Sequence, residues 1–175
     1  MRHRVQVPAP NSIDIILVGD GAAPTWPLGE VHRSTATPPG VADALASAVH
    51  RPCRAVLLWD PALGQPDVEV VEELSHRTAE VFHAGLSLGQ AGRPRPVDFI
   101  EPMWMHNCDA PADVESTSWR LTFRACLIRR AVLEQMRGPY AGFHSLDAAA
   151  LELGFHWLRR GVFVRHSPLL VRHAS

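Results

Sequence analysis

The chain has no lysine: its 17 basic residues are all arginine, and set against 18 acidic residues they leave a net charge of −1. So even a balance gives no electrostatic footprint for nucleic acid or an anionic membrane surface. With alanine and proline abundant, the missing lysine reads as GC-rich coding bias. Cysteine is scarce, three residues with no C-x-x-C spacing. An odd, scattered set excludes a disulfide framework and a zinc knuckle. Cys53 and Cys126 stand beside apolar runs and read as small core residues. No apolar run approaches the roughly 18 residues of a membrane span, and the basic N-terminus has no apolar signal core. The chain therefore reads as soluble and cytoplasmic. Ten histidines are present, dispersed along the chain. His106-Asn107-Cys108-Asp109 invites a metal reading, but adjacent side chains converge poorly on one ion.

What is present is enough apolar material for a substantial core: 46% of 175 residues, ordinarily one domain. Residues 1–12 read as an irregular lead-in, and 13–175 as a single α/β domain. Ile13 to Val18 is nearly continuously apolar and β-branched, as a buried parallel strand is. It closes on Gly19-Asp20-Gly21, and a polar residue at a buried strand's C-terminal end is where open α/β sheets contact ligands. A strand-to-turn Asp-Gly explains Asp20 equally well. Residues 22–40 are Pro-rich and read as loop. Val41, Leu45, Ala48 and Val49 share one helical face, and that helix stops before Pro52. Arg54 to Trp59 reads as a second buried strand, closed by Asp60-Pro61-Ala62. A helix over 68–77 has Asp67 as its N-cap and acidic residues early, where its dipole favours them. Residues 79–84 read as a strand, and 97–105 as strand plus turn.

The last third carries the most pattern. Leu121 to Ile128 reads as a central strand ending in Arg129-Arg130, followed by a short helix over 131–136. A Gly/Pro loop then leads to Asp147 at the mouth of a helix over 148–160, which ends at Arg159-Arg160-Gly161. Two short strands, around Phe163 and Leu170, finish the chain. Ser145 or Asp147 is a sound N-cap, and Leu151, Leu153, Phe155, Trp157 and Leu158 read as core rather than as a sugar platform.

This order resembles the acceptor half of the family 2 glycosyltransferases, inverting enzymes of the GT-A fold. In those, a strand ending in "RR" leads to a "GxF" loop, an acidic residue at a helix start, an "RxxG" helix end and a terminal "P…H". Upstream, I-I-L-V-G-D-G-A is similar to the family's "IIVVDDGS", and G-V-A-D-A-L-A-S-A-V…A-V-L-L-W-D to the stretch leading to its DxD motif. The resemblance implies a GT-A-like, Rossmann-like mixed sheet flanked by helices. It also implies transfer of a sugar from a nucleotide-diphosphate sugar donor to an acceptor. Asp147 would be the catalytic base. Asp20, Gly40, Asp60, Trp119, Arg129 and Arg130 would bind the nucleotide sugar, and Asp60 with His173 would hold Mn²⁺ or Mg²⁺. The chain departs from the pattern in three places. Ala62 stands where the second DxD carboxylate would be, Leu146 precedes Asp147 where the family has "ED", and the opening strand and helix of the family are not seen ahead of Ile13. These departures keep a second expectation open, a non-catalytic pseudo-glycosyltransferase that binds a partner protein, peptide or nucleotide. A third is an unrelated doubly wound binding domain.

Overall fold

Ile13–Val18 (β1) and Ala55–Trp59 (β3) are buried at every position, and they pair in parallel from Ile13↔Ala55 to Leu17↔Trp59. The computed structural model describes residues 11–84 and 113–172. Around this central pair the described residues form a seven-stranded sheet in the order β2-β1-β3-β6-β4-β7-β5. The other strands are Val31–Ser34 (β2), Val81–His83 (β4), Ser116–Thr117 (β5), Ala125–Arg129 (β6) and Val164–His166 (β7). Strands β2, β1, β3, β4 and β7 share one direction, and β6 and β5 run against them. The result is a mixed, Rossmann-like α/β sheet flanked by helices, the architecture that the resemblance implies.

Helices cover both faces. Pro38–Ala48 (α1), Arg130–Gln135 (α3) and Leu146–Arg159 (α4) bury Val41, Leu45, Val132, Leu133, Leu153 and Trp157 against Ile16, Val56, Leu58 and Ile128. Val68–His76 (α2) and Leu169–Arg172 (α5) cover the other face, where Val71, Leu74 and Leu170 meet Ile15, Leu57, Trp59 and Phe82. Alternation along β1, even residues to one layer and odd to the other, is the period-2 pattern of a strand buried on both sides. Cys53 and Cys126 are buried core thiols, as expected. Burial pushes the Cys53 thiol up to about 11 and raises Cys126 further.

Several boundaries differ from the sequence reading. The Pro-rich stretch 22–40 contains an edge strand, β2. The buried segment Leu121-Thr122-Phe123 is irregular, so β6 begins only at Ala125. The apolar run at Leu169-Leu170-Val171 is helical, not a strand. Runs this short do not distinguish strand from helix by composition. The expected strand at 97–105, the His106–Asp109 run and His173 lie outside the described residues. Among the described residues, no helix is long and apolar enough to cross a membrane.

Candidate functional site

The chain leaves the C-terminal end of β1 toward the edge strand β2, and leaves the C-terminal end of β3 in the opposite direction, through α2 to β4. The point between those two ends is the topological switch point, where open α/β sheets bind ligands. Asp20 and Asp60 stand on its two sides, one just beyond each strand. Asp20 is exposed and makes no contact with a charged partner among the described residues. Gly21 adopts φ +153° and closes on the other wall so tightly that a Cβ there would lie 2.5 Å from Pro61 Cβ. Both features require glycine.

Asp60 is half-buried and fully engaged. Its Oδ1 accepts a hydrogen bond from Ala62 N–H at 2.9 Å, capping the short 3₁₀ turn Pro61–Leu63. Its Oδ2 receives Arg124 Nε at 2.8 Å, and its own N–H donates to the Arg124 carbonyl at 2.7 Å. Arg33 closes the rim from the β2 side, donating to the Gly21 carbonyl at 2.9 Å. The N-terminus of α1 lies beside it, with Gly19 N–H bonded to the Ser34 carbonyl at the base of the Thr35–Thr37 turn. Gly40 is the third residue of α1 and packs against that segment. Its N–H donates to the N-cap Thr37 Oγ1, and a Cβ there would sit 2.0 Å from Thr35 Oγ1. Its glycine is therefore explained by the cap's packing.

The two expected arginines fall elsewhere. Because β6 runs antiparallel, Arg129 pairs with Ala55 at the start of β3, at the end of the sheet away from Asp60. Five strand residues separate the two ends, about 15 Å. There Arg129 donates to the Arg77 carbonyl, and Arg130 pairs with Glu134 at 2.8 Å. The same antiparallel course brings Arg124, which precedes β6, to the rim. Arg33 and Arg124 are the cations that sequence reasoning missed, since neither an edge strand nor a strand's direction is written in a local run. Trp119 packs on α4, its ring edge-on to Phe155 at 5.6 Å, with the Arg120 guanidinium 5.7 Å from the ring centroid. Asp147 is exposed in the first turn of α4, while Ser145 makes the cap by accepting Ala148 N–H at 3.3 Å.

Two further groups of polar side chains stand out. At the C-terminal ends of β4 and β7, in the matching triplets Val81-Phe82-His83 and Val164-Arg165-His166, two buried imidazoles lie with ring centroids 5.8 Å apart. His83 is pushed down to about 3, first by burial and then by His166, against opposition from the backbone of Ser118 and Ala84. At the opposite end of the sheet, Asp14, Glu30 and His32 bring one ligand atom each to within 4.8 Å of one another. That cluster is close enough to share a divalent cation such as Mn²⁺ or Mg²⁺. Together with the Rossmann-like fold, it is compatible with a metal-dependent transferase and does not specify the group transferred.

Comparison with family models, curated proteins and solved structures finds no match.

Proposed function

We propose that this is a glycosyltransferase-like domain that takes a nucleotide-diphosphate sugar at the switch point between β1 and β3. The observation that carries the reading is the placement of Asp20, Asp60, Arg33 and Arg124 around that one point. Guanidinium forks match phosphate oxygens, so Arg33 and Arg124 would meet the diphosphate, and Asp20 the nucleoside hydroxyls. A metal held by Asp60 does not fit this rim: both carboxylate oxygens are already engaged, and Arg124 supplies the positive charge there. The diphosphate is therefore neutralised by arginine in this reading.

Four residues join the end of α4 to the start of β7, short enough for the helix to run antiparallel to that strand, and in this reading its first turn brings Asp147 toward the rim end. Asp147 would take the proton of the acceptor hydroxyl as that oxygen attacks the anomeric carbon. The bond from that carbon to the diphosphate breaks, and its electron pair leaves with the nucleoside diphosphate. A second reading, a non-catalytic binding module, is favoured by one observation: no described residue makes a hydrogen bond or ion pair to the Asp147 carboxylate to hold it in place. A donor-hydrolysis assay with UDP- and GDP-sugars separates the two. Turnover that falls at least about a hundredfold in Asp147→Asn is the expected result. Turnover equal in that variant removes Asp147 as the base, and nucleotide binding without any turnover selects the binding module.

A further inference from the structure

The cluster at the start of β1 and β2 is built around a buried carboxylate. Asp14 follows the first residue of β1, and its side chain is 1% exposed. Its Oδ1 accepts Glu30 N–H at 3.1 Å, which turns Oδ2 toward His32. The register Ile16↔His32 puts the imidazole on the same sheet face as Asp14. Trp26 Nε1 donates to the Ile13 carbonyl at 2.7 Å, and Gly29 lies so close that a Cβ there would approach Asp14 Oδ1 to 2.7 Å. The loop that delivers Glu30 and His32 is thus clamped onto β1.

His32 Nε2 lies 3.5 Å from Asp14 Oδ2 and 3.5 Å from Glu30 Oε2, and it is enclosed with no hydrogen-bond partner. Three ligand atoms, the imidazole Nε2 and one oxygen of each carboxylate, thus face one small space. A cation between them resolves that arrangement. The two 3.5 Å separations match a tetrahedral ion, whose bonds of about 2.1 Å give ligand–ligand edges of about 3.4 Å. An imidazole with two carboxylates suits Zn²⁺ and related borderline ions better than Mg²⁺, which prefers an octahedron of oxygens.

We propose that Asp14, Glu30 and His32 form a site for a tetrahedral divalent cation of the zinc type that fastens the edge strand β2 to β1. Strand β2 has four residues and pairs only with β1 among the described residues. A bond from His32 to an ion also held by Asp14 adds a cross-link that its short ladder lacks. The ion sits at the N-terminal ends of these strands, away from the rim, so it holds the fold's edge and does not touch the transferred group.

The test is calorimetric titration of the chelator-treated full chain with Zn²⁺, alongside His32→Gln and Glu30→Gln, with amide hydrogen exchange of residues 31–34. These less buried positions are chosen because Asp14→Asn risks the fold itself. The expected result is one Zn²⁺ per chain, affinity at least about tenfold weaker in both variants, and slower exchange in β2 only when wild type is loaded. Binding of equal strength in the two variants would assign the ion to other histidines and overturn the proposal. So would no stoichiometric binding, with His32 found as an imidazolium between the two carboxylates, or equal competition by Mg²⁺. Because the readouts need no nucleotide, failure here leaves the reading of the rim standing, and the reverse holds too.

Discussion

Asp60 shows how one side chain can look like a ligand and be occupied by structure. A carboxylate at a buried strand's end before proline caps the turn that follows, and here it also holds Arg124. That pair is partly exposed, so its contribution to stability is modest, about 0–1 kcal/mol. Arg124→Ala is therefore expected to leave the melting temperature nearly unchanged while weakening nucleotide binding. Gly21 predicts the opposite behaviour. At φ +153° and against Pro61, any side chain is strained, so Gly21→Ala should cost about 1–3 kcal/mol in urea unfolding. A variant as stable as wild type would mean that Gly21 and Pro61 are not in contact. Asp20, Asp60 and Asp147 were legible in the sequence as polar residues at element ends. Arg33 and Arg124 were not, because their position depends on strand pairing across the chain.

Among the elements, β1 and β3 were readable almost to the residue, since strands buried on both faces are continuous apolar runs. Helix α2 was readable from Asp67, which accepts the N–H groups of Glu69 and Val70 as its cap. Strand β2 was not. Val-His-Arg-Ser alternates exposed and half-buried positions at the sheet's edge, so it has little apolar content to signal it. The direction of β6 was equally invisible, and that alone exchanged Arg124 for Arg129 and Arg130 at the rim. Helix α4 offers a direct check on its own element: Ser145→Ala removes the cap and should cost about 1 kcal/mol of stability. Asp147→Ala should cost less, because Ser145 makes the capping bond. If Asp147→Ala is the more destabilising, Asp147 serves the helix rather than a substrate.

At the scale of the whole molecule, the sheet separates two groups of side chains, Asp20, Arg33, Asp60 and Arg124 at one end and a carboxylate–imidazole cluster at the other. It also buries His83 neutral beside His166. In the unfolded chain His83 returns to an ordinary value near 6.5, whereas in the folded protein it is near 3. Between those values the unfolded state binds a proton that the folded state refuses. Stability is therefore expected to fall as pH drops below 6.5, by up to about 1.4 kcal/mol per pH unit from this group. Urea midpoints measured from pH 7 to pH 4 check this, and His83→Gln should flatten the slope. A slope unchanged in that variant would place the acid sensitivity elsewhere.

The central claim, a nucleotide-diphosphate site at the β1–β3 switch point neutralised by arginine, is tested most directly by calorimetric titration with UDP and GDP. Titrations run in Mn²⁺ and again in chelator, on wild type and Arg124→Ala. The expected result is one bound nucleotide per chain, with binding that survives chelation and weakens about tenfold in the variant, the worth of one charge-assisted contact of about 1.4 kcal/mol. Binding that requires the metal, or an Arg124→Ala chain that binds as tightly as wild type, would contradict it.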